Sequence, residues 1–409
     1  MSDPHSVIVC PACDLLIERK LLPLRRHAHC PRCHQHLYGR YAFRPSQLMA
    51  LTITGFLLLP SAFFEPLLYL RLAGVNSDAN LLKGLLMLFE EGELWVASLV
   101  LWCAVLAPAG LLLGIFALAS GLAKRWHMLA PTLKAVEVFR HWAMLEVYIV
   151  SLMVALFKLI DIADVRLGGG LLSLGILMLL NMTLLILFDP APTGSGYRCT
   201  TPRRSRIMIP TSARELGLCR CHTCGLLVRY QSAMSCPRCH SPLQMRIPRS
   251  LAWSWGLLAL ATFMLLPANL LPITHFYNKG LLQSDTIFSG IMALYRSKMS
   301  GIATIVLTAS IIVPIGKILG LGWICWQLQR SKPVRRKRQL IMYRIIDFIG
   351  RWSMLDLFVI SLMVALVDRG VLLNVRAGPG ATAFAGVVIL TMMSARMLDT
   401  RLLWDKAAR

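Results

Sequence analysis

The sequence predicts an all-α polytopic membrane protein made of two tandem, parallel repeats. Each repeat is a small cytoplasmic cysteine-rich module followed by a four-helix transmembrane unit, giving eight spans. Three observations carry this reading: an apolar composition, hydrophobic stretches in two groups of four, and a doubled Cys-x-x-Cys signature ahead of each group. Of 409 residues, 56% are hydrophobic and 15% are charged, and the mean hydropathy is +0.62. With Gly counted and Tyr left out, the apolar share is about 61%, above the 45–50% of soluble domains. An ordinary soluble enzyme does not look like this. Lys+Arg number 43 against 20 Asp+Glu, a net charge of +23. In so apolar a chain, that excess points to loops facing anionic lipid and not to nucleic acid.

Residues 1–45 hold CPAC from Cys10 and CPRC from Cys30, with many charges and no apolar run that would make a leader. Residues 46–190 form the first membrane unit, with stretches of bilayer length at Leu48–Leu70, Leu94–Leu122, Trp142–Ile160 and Gly168–Phe188. Residues 191–249 are a linker plus a second cysteine module; from Asp189 to Arg249 the chain carries ten arginines and no lysine. Residues 250–409 repeat the membrane unit, at Leu251–Ile273, Ile302–Leu328, Ile345–Val367 and Ala381–Leu398. Positive charge fixes the orientation: RSKPVRRKR holds six cations from Arg330 to Arg338, and Lys124, Arg125, Lys134 and Arg140 follow the second stretch. Both termini and both cysteine modules therefore face the cytoplasm. The segments Arg71–Glu93 and Thr274–Met299 face the other side, as small folded caps.

The repeat is written in the residues. CPRCH recurs at Cys30–His34 and Cys236–His240, and APAGLLLG from Ala107 answers VPIGKILG from Val313. WAMLEVYIVSLMVAL from Trp142 answers WSMLDLFVISLMVAL from Trp352, an offset of 210 residues. Four spans per copy give both copies the same orientation, unlike the inverted repeats of many transporters.

Each cysteine module presents four thiols from two tight turns. Cys10, Cys13, Cys30 and Cys33 form one set, with sixteen residues between the pairs; Cys221, Cys224, Cys236 and Cys239 form the other, with eleven. That spacing is that of a tetrahedral zinc ribbon. Iron in the same geometry and redox-active dithiols are the alternatives; a reducing cytoplasm disfavours structural disulfides. Cys219 is a spare able to replace Cys221. His29, His34, His222 and His240 flank the sets, as bystanders or as substitutes for a thiolate. With every ligand position filled, two zinc ions would be structural, holding together modules too short to build a core. Cys103 and Cys325, on membrane stretches, are packing residues.

Inside a bilayer polar residues are costly, so their placement is informative. The second unit has Lys317 where the first has Leu111, Ser310 for Ala104, Ser353 for Ala143, Asp356 for Glu146 and Thr391 for Asn181. Lys317 and Asp356 have opposite sign on neighbouring spans and are expected to pair. Pro314 and Gly316 are expected to break the helix beside Lys317 and free carbonyls for a site. Pro60, Pro66, Pro267 and Pro272 are expected to kink the first span of each unit. Glu65 and Glu146 read as embedded acids. There is no Walker A motif, no GxGxxG, no HExxH and no GxSxG, so the chain is not read as an enzyme.

LLPANLLPI from Leu265, DTIFSGIM from Asp285, ASIIVPIGK from Ala309, GRWSMLDLFVISL from Gly350 and LDTRLLWD from Leu398 resemble the paraquat-inducible protein A family of Gram-negative inner membranes. The likeness covers essentially the whole chain and is closest to the family's envelope-spanning tunnel branch. It implies cytoplasmic zinc ribbons and a periplasmic MCE-domain partner that forms a hydrophobic tunnel. It implies movement of phospholipid between membrane and tunnel, and a polar network of Ser310, Lys317, Ser353, Asp356 and Thr391. Two other classes stay open: an ion- or proton-coupled transporter of a small solute, and a redox or stress sensor built on the Cys pairs.

Overall fold

The computed structural model describes residues 7–18, 23, 27–39, 45–72, 75–90, 92, 94–159, 164–188, 212–230, 235–278, 281–296, 298, 300–330, 336–355, 357–359, 361–362 and 373–405. The protein is mostly helical. Among the described residues seven helices are long and apolar enough to cross a membrane: Pro45–Phe64, Leu94–Ala119, Leu129–Leu156, Gly169–Leu187, Ser250–Leu270, Ala303–Gln329 and Pro379–Met397. The stretch expected at Ile345–Val367 is described only in part, because residues 356, 360 and 363–372 lie outside the described set. Its first residues belong to a long helix, Arg336–Trp352, that begins in the basic loop. The stretch expected from Trp142 likewise starts earlier, at Leu129, and is interrupted where Ala143 turns extended.

The prolines explain where the first helix of each half stops. Pro60 and Pro267 are tolerated inside their helices, whereas Pro66 and Pro272 fall just past the helix ends at Phe64 and Leu270. A proline has no N–H for the next helical bond, so the chain leaves the helix there. Glu65, expected as an embedded acid, is consequently exposed at that end.

Beyond those prolines the chain forms strands, which corrects the all-α expectation. Leu68–Leu72 pairs on one side with Val75–Ala79 and on the other with Asp164–Leu167, all antiparallel. Thr274–Asn278 does the same with Leu281–Asp285 and Leu373–Ala377. The expected caps are therefore three-stranded sheets. Each joins the strand after the first helix to the strand before the last one, which fixes those two helix ends on one face of the molecule. Gly168 and Gly378 make the joint possible. Their N–H groups donate to the carbonyls of Leu67 (2.9 Å) and Ile273 (2.7 Å). A Cβ on either would collide with the carbonyl of Pro66 or Pro272.

The helix holding Lys317 is not broken at Pro314. Instead the turn before it widens into a π-helical segment, Thr308–Ile312, and Leu101–Leu106 does the same before Pro108. A proline ring clashes with the carbonyl four residues back; one wider turn relieves the clash and keeps the helix continuous.

Small hydroxyl residues clasp the long helices. Ser254 and Ser394 exchange hydrogen bonds between Ser250–Leu270 and Pro379–Met397, each hydroxyl donating to the other's carbonyl at 3.0 and 2.9 Å. Ser61 and Ser173 meet at 2.6 Å between Pro45–Phe64 and Gly169–Leu187. Such pairs let backbones approach closely where lipid supplies no hydrophobic drive. A shared apolar core joins the two halves, with Tyr148 and Phe358 edge to face at 5.5 Å and Cys103 against Met354.

The cysteine modules cross over. The first packs its cysteines with Leu258, Leu321, Ile324, Leu340, Leu398 and Leu403 of the second half. The second packs against Leu133, Leu118 and Leu129 of the first half. The modules also touch each other, through Val9 and Leu16 against Ala213, Leu218 and Leu227.

Candidate functional site

Each Cys-x-x-Cys pair closes the same tight turn. The first cysteine's N–H donates to the carbonyl five residues on, and the N–H after the second cysteine donates back to the first cysteine's carbonyl, at 2.8–3.0 Å throughout. The residue after the second cysteine sits in the left-handed region: Asp14 (φ 61°), His34 (55°), Gly225 (73°) and His240 (56°). Asp and His tolerate that region better than most residues, and Gly enters it freely. His34 and His240 thus serve the turn through their backbones.

The turns bring the sulfurs together. Cys10, Cys13, Cys30 and Cys33 are buried with all four Sγ atoms within 4.8 Å of one another, and so are Cys221, Cys224, Cys236 and Cys239. Cys10 and Cys33, and Cys13 and Cys30, have their sulfurs 3.5 Å apart; Cys221 and Cys239, and Cys224 and Cys236, have theirs 3.6 Å apart. A tetrahedral ion at about 2.3 Å from each sulfur needs sulfurs about 3.8 Å apart, so both sets fit a metal with small adjustment. One thiol in each set is pulled toward thiolate, Cys33 by the hydrogen bond from Cys10 and Cys221 by that from Cys224. Cys219 stands apart; its Sγ donates to the Gln244 carbonyl at 3.3 Å, and burial pushes its thiol up.

The terminal LDTRLLWD segment braces both modules. Arg246 donates to Asp405 at 2.6 and 2.7 Å and to Asp14 at 2.8 Å, and Arg214 donates to Asp405 at 2.9 Å. Arg32 lies 4.1 Å above the Trp404 ring. Asp399 accepts two hydrogen bonds from the Arg401 guanidinium, both at 2.9 Å, and Arg401 reaches His222 at 3.2 Å. Burial pushes the Asp399 carboxyl up, but Arg401 more than offsets this and holds it below the usual carboxylate range. A depressed folded pKa adds stability that is present above the unfolded value, near 3.9, and is lost as pH falls through the folded value. Asp399→Asn is therefore expected to lower the melting temperature at pH 7. The gap to the parent should close only below about pH 4. A gap unchanged down to pH 3 would show that the carboxylate charge contributes nothing.

Within the membrane region Lys317 is 3% exposed, and its Nζ has no hydrogen-bond partner among the described residues. It lines a narrow cleft, with about 10 Å³ of water-sized space, beside Asp347, Gly350, Arg351 and Thr391, and His141 from the first half. Asp347 is near enough to interact with the lysine electrostatically. Gly350 lies against the lysine's end: a Cβ there would be 3.9 Å from Nζ. Thr391 donates to the Val388 carbonyl at 3.0 Å and Ser310 to that of Val306 at 2.7 Å, both buried. Ser310 lies in the π-helical segment two turns before Lys317. Ser353 is 1% exposed, its Oγ without a partner among the described residues. Asp356, the expected partner of Lys317, lies outside the described residues. In the first half Asn181 is also buried with both amide atoms unpartnered among the described residues; each such group costs about 1–3 kcal/mol.

Asp347, Arg351 and His141 are not singled out by the sequence, where the polar residues that stand out lie deeper in the seventh stretch. The offset of 210 residues is the signal that points to one of them, since Asp347 answers Glu137. Glu137 interacts with Arg396 of the second half, whose guanidinium lies 5.5 Å from the Trp142 ring.

The profile of the family described as paraquat-inducible protein A matches residues 46–193 and again 251–408. The "lipophilic envelope-spanning tunnel protein A" of Escherichia coli K12 is 36% identical over 97% of this chain and 90% of its own length. A "probable intermembrane transport protein" of Haemophilus influenzae is 32% identical over 98% of this chain and 97% of its own. The E. coli K12 "intermembrane transport protein PqiA" is 29% identical over 98% and 95%. No solved structure matches the chain significantly.

Proposed function

We propose, on the premise that this chain belongs to the paraquat-inducible protein A family, that it moves phospholipid between an inner membrane and a periplasmic MCE-domain tunnel partner. It is a multi-pass membrane protein whose relatives are named as transport and tunnel proteins. In this reading residues 46–190 and 250–409 are two copies of a four-helix unit, with eight spans and cytoplasmic termini. Residues 1–45 and the module within 191–249 are zinc ribbons. The four cysteines of each set would hold the ion, which supplies a structural crosslink and leaves no position open for substrate. Their crossed packing would tie each ribbon to the opposite membrane unit.

The observation that carries the reading is Lys317, a buried cation without a hydrogen-bond partner among the described residues, facing a cleft with Thr391 and Asp347. Such a cation inside a membrane marks a site. The ammonium suits a headgroup phosphate, and Asp347, with Asp356 deeper in the same stretch, would balance it between loads. As it stands the cleft has room for about one water, so a headgroup would need the lining helices to part. A photo-crosslinking residue at Ile346, on the cleft, is expected to capture labelled phospholipid in cells well above one at Leu319, which is 67% exposed. Equal labelling at both would remove the lipid site and leave ion coupling as the role of the lysine.

A further inference from the structure

The first cysteine module carries His27, His29, His34 and His36 in the run HAHCPRCHQH. Its hairpin, His27–His29 against His36–Gly39, folds three of these imidazoles onto one exposed patch. His27 Nδ1 and His36 Nε2 are 3.0 Å apart, with ring centroids at 5.1 Å. His29, opposite His36 in the strand register, presents its ring nearly perpendicular at 5.7 Å. We propose that His27 and His36, completed by His29, form a third metal site on this module, for an imidazole-binding divalent ion such as Zn²⁺, Ni²⁺ or Cu²⁺.

The geometry and the chemistry agree. Two nitrogens bound to one ion at about 2.1 Å in tetrahedral geometry lie about 3.4 Å apart, so the pair needs to open by only a few tenths of an ångström. The two nitrogens already face each other across a single proton, and an ion takes that proton's place. His29 joins by rotating its side chain, and water fills the remaining position because all three residues are exposed. Imidazole-only ligation favours those ions over Mg²⁺ or Ca²⁺. The site is separate from the buried thiols: Cys30 follows His29 in the chain, but its Sγ points into the cysteine cluster, within 4.8 Å of Cys10, Cys13 and Cys33.

The test uses the full-length protein in detergent, without a polyhistidine tag and with its thiol-bound metal in place. Ni²⁺ is titrated by calorimetry, and bound metals are counted by mass spectrometry. One equivalent of Ni²⁺ is expected, with the thiol-bound metal retained. The double variant His27→Ala with His36→Ala is expected to weaken binding at least tenfold, while His127→Asn, at an exposed histidine elsewhere, leaves it unchanged. Should the double variant lose thiol-bound metal, His36→Gln decides, since it keeps a hydrogen-bonding partner for His27 and removes the ligand. No bound equivalent in the parent, or unchanged binding in the variant that keeps its thiol-bound metal, would overturn the proposal and leave the pair as a cross-strand hydrogen bond.

Discussion

Cys33→Ser is expected to release one of two metal equivalents and to loosen the second membrane half more than the first. Structural zinc contributes about 10–16 kcal/mol in small cysteine domains, as much as the whole stability of an ordinary one. The first module's core is largely its four cysteines, and these pack with Leu258, Leu321, Ile324, Leu340 and Leu403. Without the ion, two backbone hydrogen bonds are all that close the turn set by Cys30 and His34, and the apolar face beneath it loses its cover. The expected readout is one thiol-bound metal per chain instead of two. Proteolysis and hydrogen exchange should rise along Ser250–Leu270, Ala303–Gln329 and Arg336–Trp352. Cys224→Ser should do the mirror experiment, exposing Leu129–Trp142 instead. Two outcomes would refute this: unfolding confined to the half that follows the mutated module in sequence, or protein that carries no metal before mutation. The second would revive a redox role for the thiols.

That crossing shows what a one-dimensional reading can and cannot see. The four cysteines of each set were legible because tight-turn spacing is local, and so were the membrane helices, because their signal is a run of apolar residues. The partner of each module was not legible. The faces that meet, such as Leu133 against the second cysteine set, are leucines like many others in the chain. The three-stranded sheets were missed for a related reason. LYLRL from Leu68 continues an apolar stretch, and only the Pro66 break and the carbonyls it frees for Gly168 and Gly170 turn it into a strand. LDTRLLWD was recognisable as a motif, but its work lies in Asp405 and Asp399, whose arginine partners include one 159 residues away. The residues that line the cleft of the second half differ in how visible they are in the sequence. A lysine amid apolar residues announces itself, whereas Asp347 passes for the acid of an amphipathic helix until the fold sets it beside Lys317.

Lys317→Met is expected to abolish most transport while leaving the protein as stable as before, or more stable. A structural lysine and a substrate-binding lysine differ in sign here. A buried ammonium without a hydrogen-bond partner is a standing cost, and replacing buried charge by well-packed apolar groups is often neutral or stabilising by about 1–4 kcal/mol. Methionine fills nearly the same space, with Gly350 leaving room at its end. Losing one charge-assisted hydrogen bond to a phosphate costs about 1.5–3 kcal/mol, or roughly 10- to 150-fold in binding. Lipid capture at Ile346 and resistance of cells to detergent should fall together, with the melting temperature unchanged or raised. Asp347→Asn should act the other way on stability, since it leaves the lysine with less opposing charge. If Lys317→Met lowered the melting temperature and left lipid capture intact, the lysine would be a structural element and the site would lie elsewhere. The two readouts separate those cases because only a binding role makes a stabilising substitution costly to function.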